Sequence, residues 1–184
     1  EIANASVPVV AHLDHGYTYD ECALALDSGF TSLMYDGSRK SLKENIEETK
    51  RIVKIAHESN ISCEGEIGFV GYSNGENSAG TDPGEAEIFA NETGVDAMAI
   101  SVGNVHLQEN KEGGLDEDRI SKIQMLTSVP LVIHGGSGVP TEQRKRLARE
   151  TNICKFNIGT ELRMAFGKAM RNAVNKDVKR FDRV

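Results

Sequence analysis

Leu131-Val132-Ile133-His134-Gly135-Gly136-Ser137-Gly138 runs from three apolar residues through an imidazole into a stretch of glycine and serine. The apolar part shows no polar alternation, which suits a strand buried on both faces of a parallel sheet. The glycines allow successive backbone N–H groups to approach an oxyanion with no side chain between them. An apolar strand that ends in a chemical group and a small-residue loop is a building unit of α/β enzymes.

Outward from this stretch the same unit recurs. Strands are expected at residues 9–13, 32–35, 62–67, 97–102, 131–134 and 154–158. Helical periods separate them. The helix over 19–27 is closed by Gly29 and that over 42–59 by Asn60. Pro83 stands near the first turn of a helix that Gly94 closes, and Thr141 with Glu142 opens another. Two more are expected at 117–126 and 160–175.

An alternating βα pattern closes either as an open doubly wound sheet or as a (β/α)8 TIM barrel, which typically needs ~250 residues. The two differ in where ligand groups collect: an open sheet gathers them at one switch point, a barrel in a ring of strand ends. Here nearly every expected strand ends in Asp, Glu, His or Asn: Asp14 and His15, Asp36, Glu66, His106, His134 and Asn157. That distribution favours the barrel, with about six of its eight units in these 184 residues. The first residue is not Met and a strand is expected only eight residues in, so the chain reads as a single barrel domain over 1–184 without its terminal segments.

Composition narrows the function. The net charge is −7, which disfavours a broad electrostatic grip on nucleic acid or an anionic membrane. The apolar runs fall short of the ~20 residues of a membrane span. Cys22, Cys63 and Cys154 show no C-x-x-C spacing, so a reducing, cytoplasmic setting with buried inert thiols is expected.

His15, His106 and His134 each follow an apolar strand, and three neutral imidazoles with one open position suit catalytic zinc. The competing reading for each is a hydrogen-bonded core histidine or a substrate-binding imidazole. His12 is a candidate supporting group, and His57, in a charged helix, is expected to face solvent. Asp14, immediately before His15, reads as an acid/base group, a ligand, or a turn residue. Glu64 and Glu66 alternate and should share one face of their strand, which calls for a cation or a shared proton.

Two consecutive loops, His134 to Gly138 and Asn157-Ile158-Gly159-Thr160, read as a phosphate cradle opening onto a helix, although tight turns use the same residues. The polar stretch over 69–84 reads as a mobile loop above the ring, with Glu76 as the catalytic group it would deliver or a plain surface acid. No lysine stands at an expected strand end, which argues against a Schiff-base route.

The ordered set His12-Leu13-Asp14-His15-Gly16, Tyr35-Asp36-Gly37-Ser38, Glu64-Gly65-Glu66-Ile67-Gly68, Val102-Gly103-Asn104-Val105-His106, His134-Gly135-Gly136-Ser137-Gly138 and Asn157-Ile158-Gly159-Thr160-Glu161 resembles the class II, zinc-dependent ketose-bisphosphate aldolases. The resemblance runs over residues 7–173. It implies cleavage of fructose 1,6-bisphosphate or its tagatose epimer through a zinc-stabilised enediolate, in a (β/α)8 barrel that forms homodimers or larger even assemblies.

The resemblance makes His15, His106 and His134 the zinc ligands and Asp14 the acid/base at the carbon 4 oxygen. It sets Asp36 and Glu66 at a second or alternative cation position, divalent or monovalent. Glu76 becomes the loop acid. Gly135, Ser137, Asn157 and Thr160 fall where the family holds the dihydroxyacetone phosphate half, with Gly159 in the same loop. The chain departs from the family at Leu107, usually Gly, and at Gly159, where many members carry Asp or Ala. Two other classes stay open: another metal-dependent phosphosugar barrel, an epimerase or hydrolase, and a non-catalytic phosphosugar-binding subunit.

Overall fold

The computed structural model describes residues 6–73, 75, 77–110 and 114–176. Strands and helices alternate through it: β1 (His12–Gly16), α1 (Tyr19–Asp27), β2 (Ser32–Tyr35), α2 (Leu42–Glu58), β3 (Ser62–Ile67), α3 (Pro83–Thr93), β4 (Ala97–Ile100), α4 (Glu117–Leu126), β5 (Leu131–Ile133), α5 (Thr141–Glu150), β6 (Ile153–Phe156) and α6 (Thr160–Lys176). The helix starts are chemically specified. Thr18 with Glu21 and Ser41 with Glu44 form reciprocal capping boxes, and Asp82 caps α3 ahead of Pro83 at its first position.

All neighbouring strands pair in parallel, in the order β1-β2-β3-β4-β5-β6. A sequential order has no switch point, so the doubly wound alternative is excluded. The sheet is curled: Asn157, just past β6, donates from Nδ2 to Asp14 Oδ1 of β1 at 3.0 Å, although the two strands lie at opposite ends of the order. The result is six strands of a (β/α) barrel with helices outside.

Strand alternation gives the sheet two unlike faces. Outward, Leu33, Tyr35, Cys63, Met98, Ile100, Leu131 and Ile133 pack with Ile52, Phe89, Ile120, Ile123 and Leu147 of the helices in one apolar core. Inward lies a small cluster of Met34, Ala99 and Val132, and around it Glu64, Glu66 and His134, all buried.

Four strands depart from the sequence expectation: β4 ends at Ile100 rather than at residue 102, so His106 lies in the loop beyond it, β5 ends at Ile133, one residue early, and β1 and β6 differ more. The strand read at residues 9–13 begins instead at His12, and Val9 and Val10 are exposed, because β1 is an edge of the described sheet with no neighbour beyond it. β1 then carries a bulge: Leu13 pairs with Leu33 but Gly16 with Tyr35, so three steps oppose two. In β6, Leu131 pairs with Ile153 and Val132 with Lys155, which leaves Cys154 as the extra residue. Cys22 and Cys63 are buried as expected, but Cys154 is exposed, and this register slip is the reason.

Candidate active site

The bulge in β1 decides what the mouth of the curled sheet contains. In a regular strand Asp14 and His15 would point to opposite faces. His15 adopts φ 56°, in the left-handed region rarely used by residues with a Cβ, and both side chains reach the mouth. His15 Nδ1 lies 2.8 Å from Asp36 Oδ2, and Asp36 Oδ1 accepts from the Ser38 N–H and hydroxyl.

Across the mouth, His134 is fully buried at the end of β5. Its Nε2 lies 3.0 Å from Glu64 Oε1, and its Nδ1 faces His15 Nε2 at 3.1 Å. Each ring thus gives one nitrogen to a carboxylate and turns the other toward its neighbour. A donated N–H on the carboxylate side fixes the tautomer that leaves the inner nitrogen a free lone pair.

His106 completes the group. Its ring stacks on Tyr72 with centroids 5.0 Å apart, and stands edge-on to His15 and His134 at 5.5 and 5.8 Å. Candidate ligand atoms of His15, His106 and His134 all lie within 4.8 Å of one another, and so do those of His15, Asp36 and Glu66. The glycine that follows His134 makes this approach possible. Gly135 has φ 64°, and a Cβ there would stand 2.2 Å from the Val105 carbonyl oxygen, beside His106. Asn104 ties the same two loops by donating from Nδ2 to the carbonyls of Ile100 and His134.

Burial and crowded charge set the protonation states. Burial, helped by His134 and His15, pushes the His106 pKa down to about 4, so this imidazole is neutral near pH 7. Burial also acts against charge on His15, but its bond to Asp36 and the nearby carboxylates outweigh it and raise the pKa. Burial, and next the charge of Asp36, raise Glu66 well above the usual carboxylate range. Glu64 moves the other way, since its bond to His134 and the charge of Lys155 overcome burial.

These residues fit a cation. Glu66 Oε2 is buried, has no hydrogen-bond partner among the described residues, and lies 3.5 Å from His134 Nδ1. A buried carboxylate oxygen without a donor calls for a proton or a cation. Two nitrogen ligands on tetrahedral zinc, at ~2.0–2.1 Å each, stand about 3.3 Å apart, near the 3.1 Å separating the inner nitrogens of His15 and His134. A set of three imidazoles flanked by carboxylates is the chemistry of a borderline divalent ion. Asp14 belongs to neither ligand group.

Beside the histidines, Gly135, Ser137, Asn157, Gly159 and Thr160 line a cavity of about 130 Å³ with Asp14, His106 and Arg163. Ser137 Oγ accepts from the Glu161 N–H at the start of α6, and Arg144 donates to the Gly136 carbonyl while pairing with Glu161. The glycine loop is thereby held against the α6 N-terminus. Another groove, of about 700 Å³ along α5, shares no lining residue with this site.

Glu76 lies outside the described residues. Described parts of its segment are fastened to the His106 loop: His106 N donates to the Gly71 carbonyl, Ser73 N to the His106 carbonyl, and the Ser78 hydroxyl to the Asn104 carbonyl. His12 sits a layer below the ring, its Nδ1 2.9 Å from Ser32 Oγ. His57 is exposed and bonded to Asp96. Two residues of the site escaped the sequence reading. Lys155 shares strand parity with Asn157 and points inward, and Arg163 donates to Thr160 Oγ1 from one turn along α6. Their spacing from Asn157 and Thr160 was the available signal.

A family model described as fructose-bisphosphate aldolase class-II matches residues 1–184. A fructose-bisphosphate aldolase of Geobacillus stearothermophilus is 41% identical over 186 residues, covering 99% of this chain and 64% of the relative. A 6-phospho-5-dehydro-2-deoxy-D-gluconate aldolase of Shouchella clausii is 43% identical over 169 residues, covering 90% of this chain and 57% of the relative. The crystal structure of the YdjI aldolase from Escherichia coli K12 superposes with a TM-score of 0.79 at 34% identity, over 97% of this chain and 61% of that one. The chain therefore spans less than two thirds of the length of the relatives it matches. No helix among the described residues is long and apolar enough to cross a membrane.

Proposed function

The chain belongs to the class II fructose-bisphosphate aldolase family, and from that premise we propose that the protein cleaves a phosphorylated ketose between carbons 3 and 4, releasing dihydroxyacetone phosphate and an aldehyde. The observation that carries this reading is the meeting of three imidazoles from distant segments, His15 in β1, His134 just past β5 and His106 in the loop after β4, with Asp14 on the same rim but outside the ligand group.

His15, His106 and His134 would hold a zinc ion, which when bound supplies a Lewis acid for the negative charge left as the carbon–carbon bond breaks. His15, Asp36 and Glu66 would take a second or alternative cation, divalent or monovalent. Asp14 Oδ1, steadied by the Asn157 amide, removes the proton from the carbon 4 hydroxyl as the bond opens and returns it in the synthetic direction. Glu76 is assigned the proton delivered to carbon 3. Gly135, Ser137, Asn157, Gly159 and Thr160 take the phosphate and hydroxyls of the ketone half, with Arg163 at the edge of the same cavity. Asp36 and Glu64 orient two of the imidazoles from behind.

The relative from Shouchella clausii supports a second substrate reading. Its named substrate bears a ketone at carbon 5 and a phosphate at carbon 6, so cleavage between carbons 3 and 4 yields the same dihydroxyacetone phosphate. The two substrates share the half assigned to the glycine loops and differ in the aldehyde half, which carries a carboxylate in one and a phosphate in the other. We assign the protein to cytoplasmic carbohydrate metabolism of the glycolytic kind, as a homodimer or larger even assembly, without nucleic-acid or membrane partners.

The test is release of triose phosphate coupled to NADH oxidation, with fructose 1,6-bisphosphate, its tagatose epimer and the deoxygluconate phosphate in parallel. Chelator-sensitive oxidation with at least one is expected. Zinc-replete protein that releases triose phosphate from none would overturn the reading, and interconversion of the two bisphosphates without release would establish an epimerase.

A further inference from the structure

Lys155 is a charged residue placed inside the curled sheet. It lies in β6 two residues before Asn157, just as Glu64 lies in β3 two residues before Glu66 and His12 in β1 two residues before Asp14. These three form a layer directly beneath the mouth. Lys155 Nζ donates to Glu64 Oε2 at 2.5 Å and lies 3.2 Å from His12 Nε2. The other oxygen of Glu64 is the one 3.0 Å from His134 Nε2. An unbroken chain therefore runs from ammonium to carboxylate to imidazole.

Glu64 is only 4% exposed, so neither of its oxygens finds much water in place of a lost partner. With both ends engaged the carboxylate cannot rotate, and His134 has one place to put its Nε2 proton. Its Nδ1 is then left facing His15. Without the ammonium, Glu64 Oε2 would lose its donor. The carboxylate could then turn toward the adjoining cavity of about 360 Å³, which Ser32, Ser62 and Asp96 also line. Groups that orient a metal-binding histidine from behind typically change metal affinity by ~10–100-fold when altered.

We infer that Lys155 is a positioning residue for His134, acting through Glu64 to hold the imidazole in the tautomer and orientation that present Nδ1 to the ion. The inference rests on the metal reading above and adds a residue two contacts away from His134. A plain structural role, neutralising a buried carboxylate, would lower stability but leave the histidine unchanged in folded protein.

The experiment uses purified protein stripped with chelator, as wild type, Lys155→Met and Lys155→Arg. Two quantities are read: zinc affinity by competition with a chromophoric chelator, and the imidazole nitrogen chemical shifts of His134 in the metal-free state. Wild type should show a single Nε2–H tautomer. Lys155→Met should show a mixture and bind zinc about tenfold more weakly, and Lys155→Arg should recover most of both. If Lys155→Met does not fold, Lys155→Gln takes its place with the same expectation. Wild-type zinc affinity and an unchanged tautomer in a folded, uncharged variant would overturn the inference. Failure of the wild type itself to bind zinc would instead sink the metal reading, and the metal-free tautomer would still decide whether Lys155 positions His134.

Discussion

The two faces of the curled sheet are made by the same strands and obey opposite rules. In β3, Cys63 and Ile67 turn outward into an apolar core, while Glu64 and Glu66 turn inward among imidazoles. In β5, Leu131 and Ile133 go outward, and His134, next in line, goes inward. The outer face gains its free energy from apolar area removed from water, roughly 25 cal/mol per Å². The inner face buries charge, which is costly unless each group is paired. The lesson is a division of labour: the outer face stabilises a scaffold rigid enough to hold unfavourable groups on the inner one.

If that division is real, changes on the two faces should separate activity from stability. Asp14→Ala should lower turnover by about 10²–10⁴-fold, the usual contribution of a general acid/base, with unfolding unaffected; steady-state kinetics beside a urea melt reads both. On the outer face, Phe89 is fully buried and its ring packs so closely on Gly65 that a Cβ there would stand 2.9 Å from it. Phe89→Ala should cost about 3–5 kcal/mol in stability. Zinc content of the folded fraction should stay unchanged, and a metal analysis showing loss in step with stability would break the comparison.

A smaller effect concerns pH. The His106 pKa is lowered from 6.5 to about 4, so the folded metal-free protein resists a proton that the unfolded chain accepts. Its contribution is intact above pH 6.5 and is lost as pH falls toward 4. His106→Asn should therefore flatten the stability of chelated protein between those values, seen as a smaller change in urea midpoint. Smallest of all is Lys50→Ala, which removes an exposed pair with Glu92 and should cost less than about 1 kcal/mol.

Much of this was legible in the residues. Period and end signals such as Gly29, Pro83 and Gly94 located the six α-helices, and the caps at Thr18, Ser41 and Asp82 show that their starts are stated chemically as well. The ring of Asp, Glu, His and Asn at strand ends pointed to a barrel, and the sequential parallel order agrees. What escaped was irregularity. The bulge at His15 adds one residue to β1, and nothing in His12-Leu13-Asp14-His15-Gly16 marks it, because the backbone is bent by pairing with β2 and contacts across the mouth. The slip that exposes Cys154 is likewise set by β5. Lys155 went unread because attention to strand ends passes over a residue two positions earlier, whose partner Glu64 is 91 residues away.

The most direct test of the central claim is the zinc content of purified wild type and four single alanine variants, at His15, His106, His134 and Asp14. The expected result is one zinc per chain in wild type and in Asp14→Ala, and loss of zinc in each histidine variant. Zinc that persists when any one imidazole is removed, or that leaves Asp14→Ala as readily as His134→Ala, would contradict a three-histidine centre with a neighbouring aspartate kept free for proton transfer.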